Sequence, residues 1–183
     1  HHHQQPIESV RVLTGQLCYQ DKYRKMPGDD DAAITRFTPN LVANHAGNGN
    51  GTIAGNWNST TPTDESVLLW EHLRRANLAS GSTDFSTQAA AAASLPTNSE
   101  GGRFGVSGSM PINTMIGGTF YACSDGIDGK FARQLDLALD DGNSNSGSMQ
   151  AVAQNNGATQ ATGGNAASAS YVDGTRYTVC MTD

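Results

Sequence analysis

The chain has 183 residues, a formal net charge of -6 and only 15% charged residues. That length suits one domain of about 100–200 residues with its own core, and the acidic, sparsely charged composition excludes the basic footprint that nucleic acids or anionic membranes require. The longest apolar runs fall far short of the roughly 20 residues that cross a bilayer.

In chain order, His1 to His3 with Gln4 and Gln5 read as the remnant of a purification tag or a linker and are set aside, leaving residues 6–183 as one domain. Ile7, Val10, Leu13 and Leu17 recur at three- and four-residue spacing, one stripe of an amphipathic helix, with Tyr19 and Tyr23 along a second edge. Pro27 and Gly28 end that helix near Met26. No capping residue precedes Ile7, as expected for the later part of a longer helix.

Residues 38–63 carry many Gly, Pro and Asn residues and read as loop. A second helix follows, with Thr63 as N-cap, Leu69, Leu73 and Ala76 on one face, Arg74 and Arg75 in its last turns and Gly81 at its end. Its His72 is expected on the exposed side. Ala89 to Ala93 favour helix but lack length, so they read as loop or one frayed turn.

Phe104–Ser107, Met115–Cys123, Ser148–Ala153 and Ser170–Met181 are the strand candidates, with a short helix over Lys130–Leu139 and an exposed Gly/Asn/Ala/Ser loop over 155–169. The fold class is therefore α+β, with the N-terminal amphipathic helix packed on an antiparallel sheet of about four strands.

Three cysteines, Cys18, Cys123 and Cys180, show no metal-binding spacing. Cys123 and Cys180 lie on strand candidates whose adjacent pairing would bring their α-carbons within disulfide range, whereas Cys18 sits beside Leu17 as a buried thiol. Three free thiols in a cytoplasmic protein are the alternative.

Chemistry-bearing motifs are sparse. Outside the tag only His45 and His72 could act as bases, and no nucleophile elbow, zinc-protease or phosphate-loop motif occurs, so no catalytic residue and no cofactor is expected. Asp29 to Asp31, Asn48, Asn50, Asp140, Asp141, Asn143 and Asn145 could offer oxygens to calcium, but none completes the D-x-[DN]-x-[DN]-G pattern; they read as turn residues, with no metal site. Trp57, Trp70 and Tyr121 could stack on sugars or, more simply, fill a core.

Four blocks carry a resemblance: YQDKYRKMPGDD at 19–30, GNGNGTI at 47–53, ESVLLWEHLRRANLASG at 65–81 and ARQLDLALDDGNSNSGSM at 132–149. Together and in this order they resemble the head domains of type IV pilins and related prepilin-type proteins. The resemblance implies that 6–26 is the C-terminal half of a long N-terminal helix, 27–103 a connection and 104–183 the sheet region. It implies a structural, non-enzymatic subunit anchored in the inner membrane before assembly and extracellular afterwards. Ile7, Val10, Leu13 and Leu17 would then form the filament-core face, and the partners would be copies of the chain, other pilins and an assembly platform. A type II secretion pseudopilin and a secreted glycan-binding module are the alternatives.

Overall fold

The computed structural model of the protein describes residues 4–183, with the side chains of the first helix described from Arg11 onward. The expected roles of the Ile7 and Val10 side chains lie outside the described residues. Helix α1 spans Gln4–Tyr23, α2 Ala33–Arg36, α3 Glu65–Arg75, α4 Gln88–Ser94 and α5 Gly129–Leu139. Strands β1 (Phe104–Ser107), β2 (Tyr121–Asp128), β3 (Met149–Ala153) and β4 (Arg176–Thr182) form one antiparallel sheet in the order β1-β2-β4-β3. The α+β class therefore holds.

Element ends follow local chemistry that the periodicity did not reveal. α1 stops at Tyr23 rather than near Met26 because Arg24 enters the left-handed region, φ 59°, and its N–H closes back on Gln20 O at 2.8 Å. The N-cap position of α3 is Asp64, not Thr63, with its carboxylate turned to Ser59, and the helix ends well before Gly81: Asn77 takes φ 60°, and the N–H groups of Asn77 and Leu78 return to Arg74 O and Leu73 O in a Schellman arrangement. The alanine run becomes a defined helix, α4, because Thr87 accepts a hydrogen bond from Ala90 N and Ala91 is fully buried.

The second strand is displaced from its expected place at Met115–Cys123. Residues 115–120 form a loop in which Gly118 N–H bonds the Tyr121 hydroxyl, and the strand runs on to Asp128 through a bulge between Ser124 and Ile127, where Gly126 takes φ 70°. The bulge breaks the two-residue alternation, so the second half of β2 could not be read as strand. β4 likewise begins at Arg176, after a turn at Asp173 and Gly174, rather than at Ser170.

Three apolar clusters fill the interior. The largest joins Tyr19 of α1 to Leu69, Trp70 and Leu73 of α3 and to Phe104 and Val106 of β1. A second surrounds Trp57, Tyr121 and the cysteines, and a third lies beneath α5 around Ala132, Met149 and Tyr177.

Cys123 and Cys180 stand directly opposite each other on β2 and β4, with α-carbons 4.1 Å apart, and form a disulfide. Cys18 is exposed, not buried as expected, because Gly15, Gln16 and Tyr19 occupy the inner face of α1. Peptide mapping without reductant should recover a Cys123–Cys180 crosslink and a free Cys18. Because the crosslink spans 57 residues, Cys123→Ala with Cys180→Ala should lower the unfolding free energy in urea by up to about 4 kcal/mol. An unchanged midpoint would show that the sheet holds this strand without covalent help.

Candidate functional site

The first helix is the site to build, because its two faces have opposite fates. Turning through about 3.6 residues per turn, it directs Gly15, Gln16 and Tyr19 toward the head, where all three are buried. Leu17 points away from it and is 66% exposed, while Leu13, 44% exposed, stands on the flank of the helix. Gly15, Gln16 and the Tyr19 ring face the head, and Leu17 faces outward.

Tyr19 fixes that orientation. Its hydroxyl donates to Asp30 Oδ2 at 2.6 Å, and Asp30, wholly buried, also accepts two bonds from the Arg36 guanidinium, at 2.8 and 3.1 Å. Burial alone would push the Asp30 carboxyl up, but Arg36 and Tyr19 outweigh it and hold the carboxyl below the usual range. The same guanidinium lies 4.3 Å from the centre of the Tyr23 ring, so the last turn of α1 is gripped through both tyrosines.

Beneath this clamp lies His72 of α3. Gly28 N–H donates to its Nδ1 at 2.8 Å, and its Nε2 reaches the carbonyl of His45 at 2.9 Å, an arrangement that requires the neutral ring with its proton on Nε2. The expected exposed position of His72 is corrected: the residue is completely buried, and burial pushes it down to about 4. His45 is also buried, its Nδ1 2.7 Å from Glu71 Oε1, while burial raises the Glu71 carboxyl against the partial relief of that contact. Both histidines serve as interior fasteners.

The acidic and glycine-rich loops are organised around carboxylates. Asp29 accepts from the N–H groups of Asn50 and Gly51, and Glu65 from those of Asn48 and Ala54. Glycine is required at two contacts here: a β-carbon on Gly28 would lie 2.4 Å from Glu65 O, and one on Gly47 2.3 Å from the Asp29 backbone. Asn48 and Asn50 close turns on the N–H groups two residues on, and Asp31 pairs with Lys25.

At the far end, Asp136, Asp140 and Asp141 bring carboxylate oxygens within 4.8 Å of one another. Asp136 escaped the sequence reading because it lies inside α5, a turn before the acidic run. Each carboxylate already serves the fold: Asp136 accepts from Tyr171 and Gly142 N, Asp140 from Met149 N, and Asp141 from Asn143 N and Ser146.

Trp57, Trp70 and Tyr121, the rings that a sugar-binding surface would display, are 1%, 4% and 2% exposed. Trp57 donates to Ala161 O, but the Trp70 indole N–H has no partner among the described residues. Trp70 lines a groove of about 520 Å³ between α1 and α3, walled by Val12, Gly15, Cys18, Leu78 and Phe104. A smaller cleft on the other flank of α1 is bounded by Leu13, Gln16, Phe120 and Asp183.

No family model, curated protein or solved structure matches the chain. Among the described residues, no helix is long and apolar enough to cross a membrane.

The state of His72 can be read in solution. An unfolded histidine takes up a proton below about pH 6.5, whereas the folded one refuses it until about 4, so its stabilising contribution is complete above the first value and is lost as pH falls toward the second. The difference amounts to about 3 kcal/mol. Imidazole resonances of His72 should stay flat above about pH 5, and His72→Phe should abolish this component of the acid slope while leaving the Gly28 N–H and the His45 carbonyl unpaired, at about 1–3 kcal/mol each. A normal titration near 6.5 would mean the ring is not held as described.

Proposed function

We propose that the chain is the head domain of a type IV pilin-like filament subunit, a structural protein rather than an enzyme, which assembles with copies of itself through α1. The observation that carries this reading is the outward stripe of α1. Leu13 and Leu17 sit one turn apart and well exposed, on a helix whose opposite side is locked to the head by Tyr19 and Asp30. Apolar residues at this spacing on a firmly held helix suit packing against other helices. The sequence blocks lend support, since the first supplies Tyr19 and Asp30 of the clamp and the second and third supply Asn48, Glu65 and His72, which order the connection beside it.

On this reading the native precursor continues upstream of Ile7 into about 20 apolar residues behind a basic leader, which anchor the subunit in the inner membrane until it is extracted into an extracellular filament. Major and minor pilins, and the pseudopilins of type II secretion, would use the same helix in the same way. The interior roles of His45 and His72 favour a structural over a catalytic part, because both ring systems are occupied by bonds that hold the connection.

The test separates assembly from folding. Leu13→Ser with Leu17→Ser, placed in the full-length precursor in its own cells, should leave the unfolding free energy of the purified head within about 0.5 kcal/mol of wild type, as expected for exposed positions. The same pair should reduce the yield of sheared surface filaments at least tenfold. Filaments at wild-type yield would remove the proposed role of this face.

A further inference from the structure

The groove and the cleft flank α1 on opposite sides, and they present complementary surfaces. On the groove side the walls are mainly apolar, and Arg11 at the rim is exposed and makes no ion pair among the described residues. An occupant of this groove should therefore combine an aliphatic group with a negative charge.

The chain carries such a feature on the other side of the same helix. Ile116 stands 82% exposed at the tip of the 113–120 loop, the most exposed of the large apolar side chains. Gly117 and Gly118 follow it, so no side chain shields the adjoining backbone, and the carbonyls of Ile116 and Gly117 accept no hydrogen bond among the described residues. Asp183 fastens the base of the loop by accepting from Thr119 N and Phe120 N, at 2.8 and 3.1 Å, and adds an exposed carboxylate beside it.

We infer that the Ile116 loop of one copy seats in the groove between α1 and α3 of a neighbouring copy. Ile116 fills the apolar groove and Asp183 approaches Arg11. Knob and groove are different surfaces of one chain, so the contact is heterologous: each copy offers one of each, and successive copies join side by side without closing as a two-fold dimer. This contact deepens the proposed filament reading and rests on it, adding the lateral surface that a helix stripe alone does not specify.

The native thiol at Cys18, which lines the groove, makes the contact testable. At Gly117 a β-carbon would meet only Tyr121 Oη at 3.7 Å and Met110 Cε at 3.9 Å, ordinary distances, so Gly117→Cys should fold and keep Ile116 in place. Mild oxidation of the concentrated Gly117→Cys head should give a ladder of dimers, trimers and higher species whose crosslinked peptides join position 117 of one molecule to Cys18 of another. Adding Cys18→Ser should abolish the ladder, and adding Ile116→Asp, an exposed change, should reduce it at least tenfold. Crosslinks that persist with Cys18→Ser would reveal a symmetric loop-to-loop contact and overturn the inference, as would the absence of any crosslink. If crosslinking fails while filament yield still depends on Leu13 and Leu17, the lateral contact is wrong and the filament reading stands. If that dependence is absent, the filament reading itself fails.

Discussion

Helix α3 is the constraint on which the rest of the molecule depends. From Glu65 to Arg74 every residue is buried, yet the run contains two glutamates, a histidine and an arginine. Such groups inside a protein are costly unless each finds partners. Glu65 gathers the amides of Asn48 and Ala54, Glu71 meets His45, and His72 joins the Gly28 amide to the His45 carbonyl. Arg74 donates to the carbonyls of Ser80, Ser82 and Ser94. The long connection is thus wrapped around a central helix by the polar side chains of that helix, while Leu69 and Leu73 supply the apolar packing.

The posture of α1 follows from this arrangement. Once His72 has fixed Gly28, the adjoining Asp30 lies where it can take the Tyr19 hydroxyl and the Arg36 guanidinium, and α1 is rotated so that Gly15 rather than a leucine meets the head. The leucines are left outside. A buried polar clamp, together with the packing of the Tyr19 ring in the main apolar cluster, therefore determines which face of an amphipathic helix stays exposed. Within the sheet the disulfide joins β2 to β4, and Arg103, donating to Trp57 O and Ser59 O, ties the sheet to the same connection.

Much of this was legible in the sequence. The four strand regions and the cysteine pair came from turn signals and β-branched clusters, and the helix at Lys130 from the four-residue spacing of Phe131, Leu135 and Leu139, all of which depend on local chemistry. What escaped came from tertiary choices. The stripe of Leu13 and Leu17 was plain, but periodicity reveals a stripe and not the side on which the head lies. His72 was placed outside because an amphipathic pattern assumes one wet face, whereas α3 has none. The Ala89–Ala93 run lacked length for an isolated helix and gained it from the Thr87 cap and the burial of Ala91. The second half of β2 was hidden by its bulge, and the role of Asp136 by its position inside a helix.

The central claim is that α1 is held by one face so that the other can pack against neighbouring copies. Cryo-electron microscopy of filaments formed by the full-length protein in its own cells tests it directly. The account predicts that Leu13 and Leu17 will be found at helix–helix contacts in the filament interior, with Tyr19 still bonded to Asp30 within each subunit. A reconstruction that places the leucines in solvent, or that swings α1 away from the head and breaks the Tyr19–Asp30 bond, would contradict it.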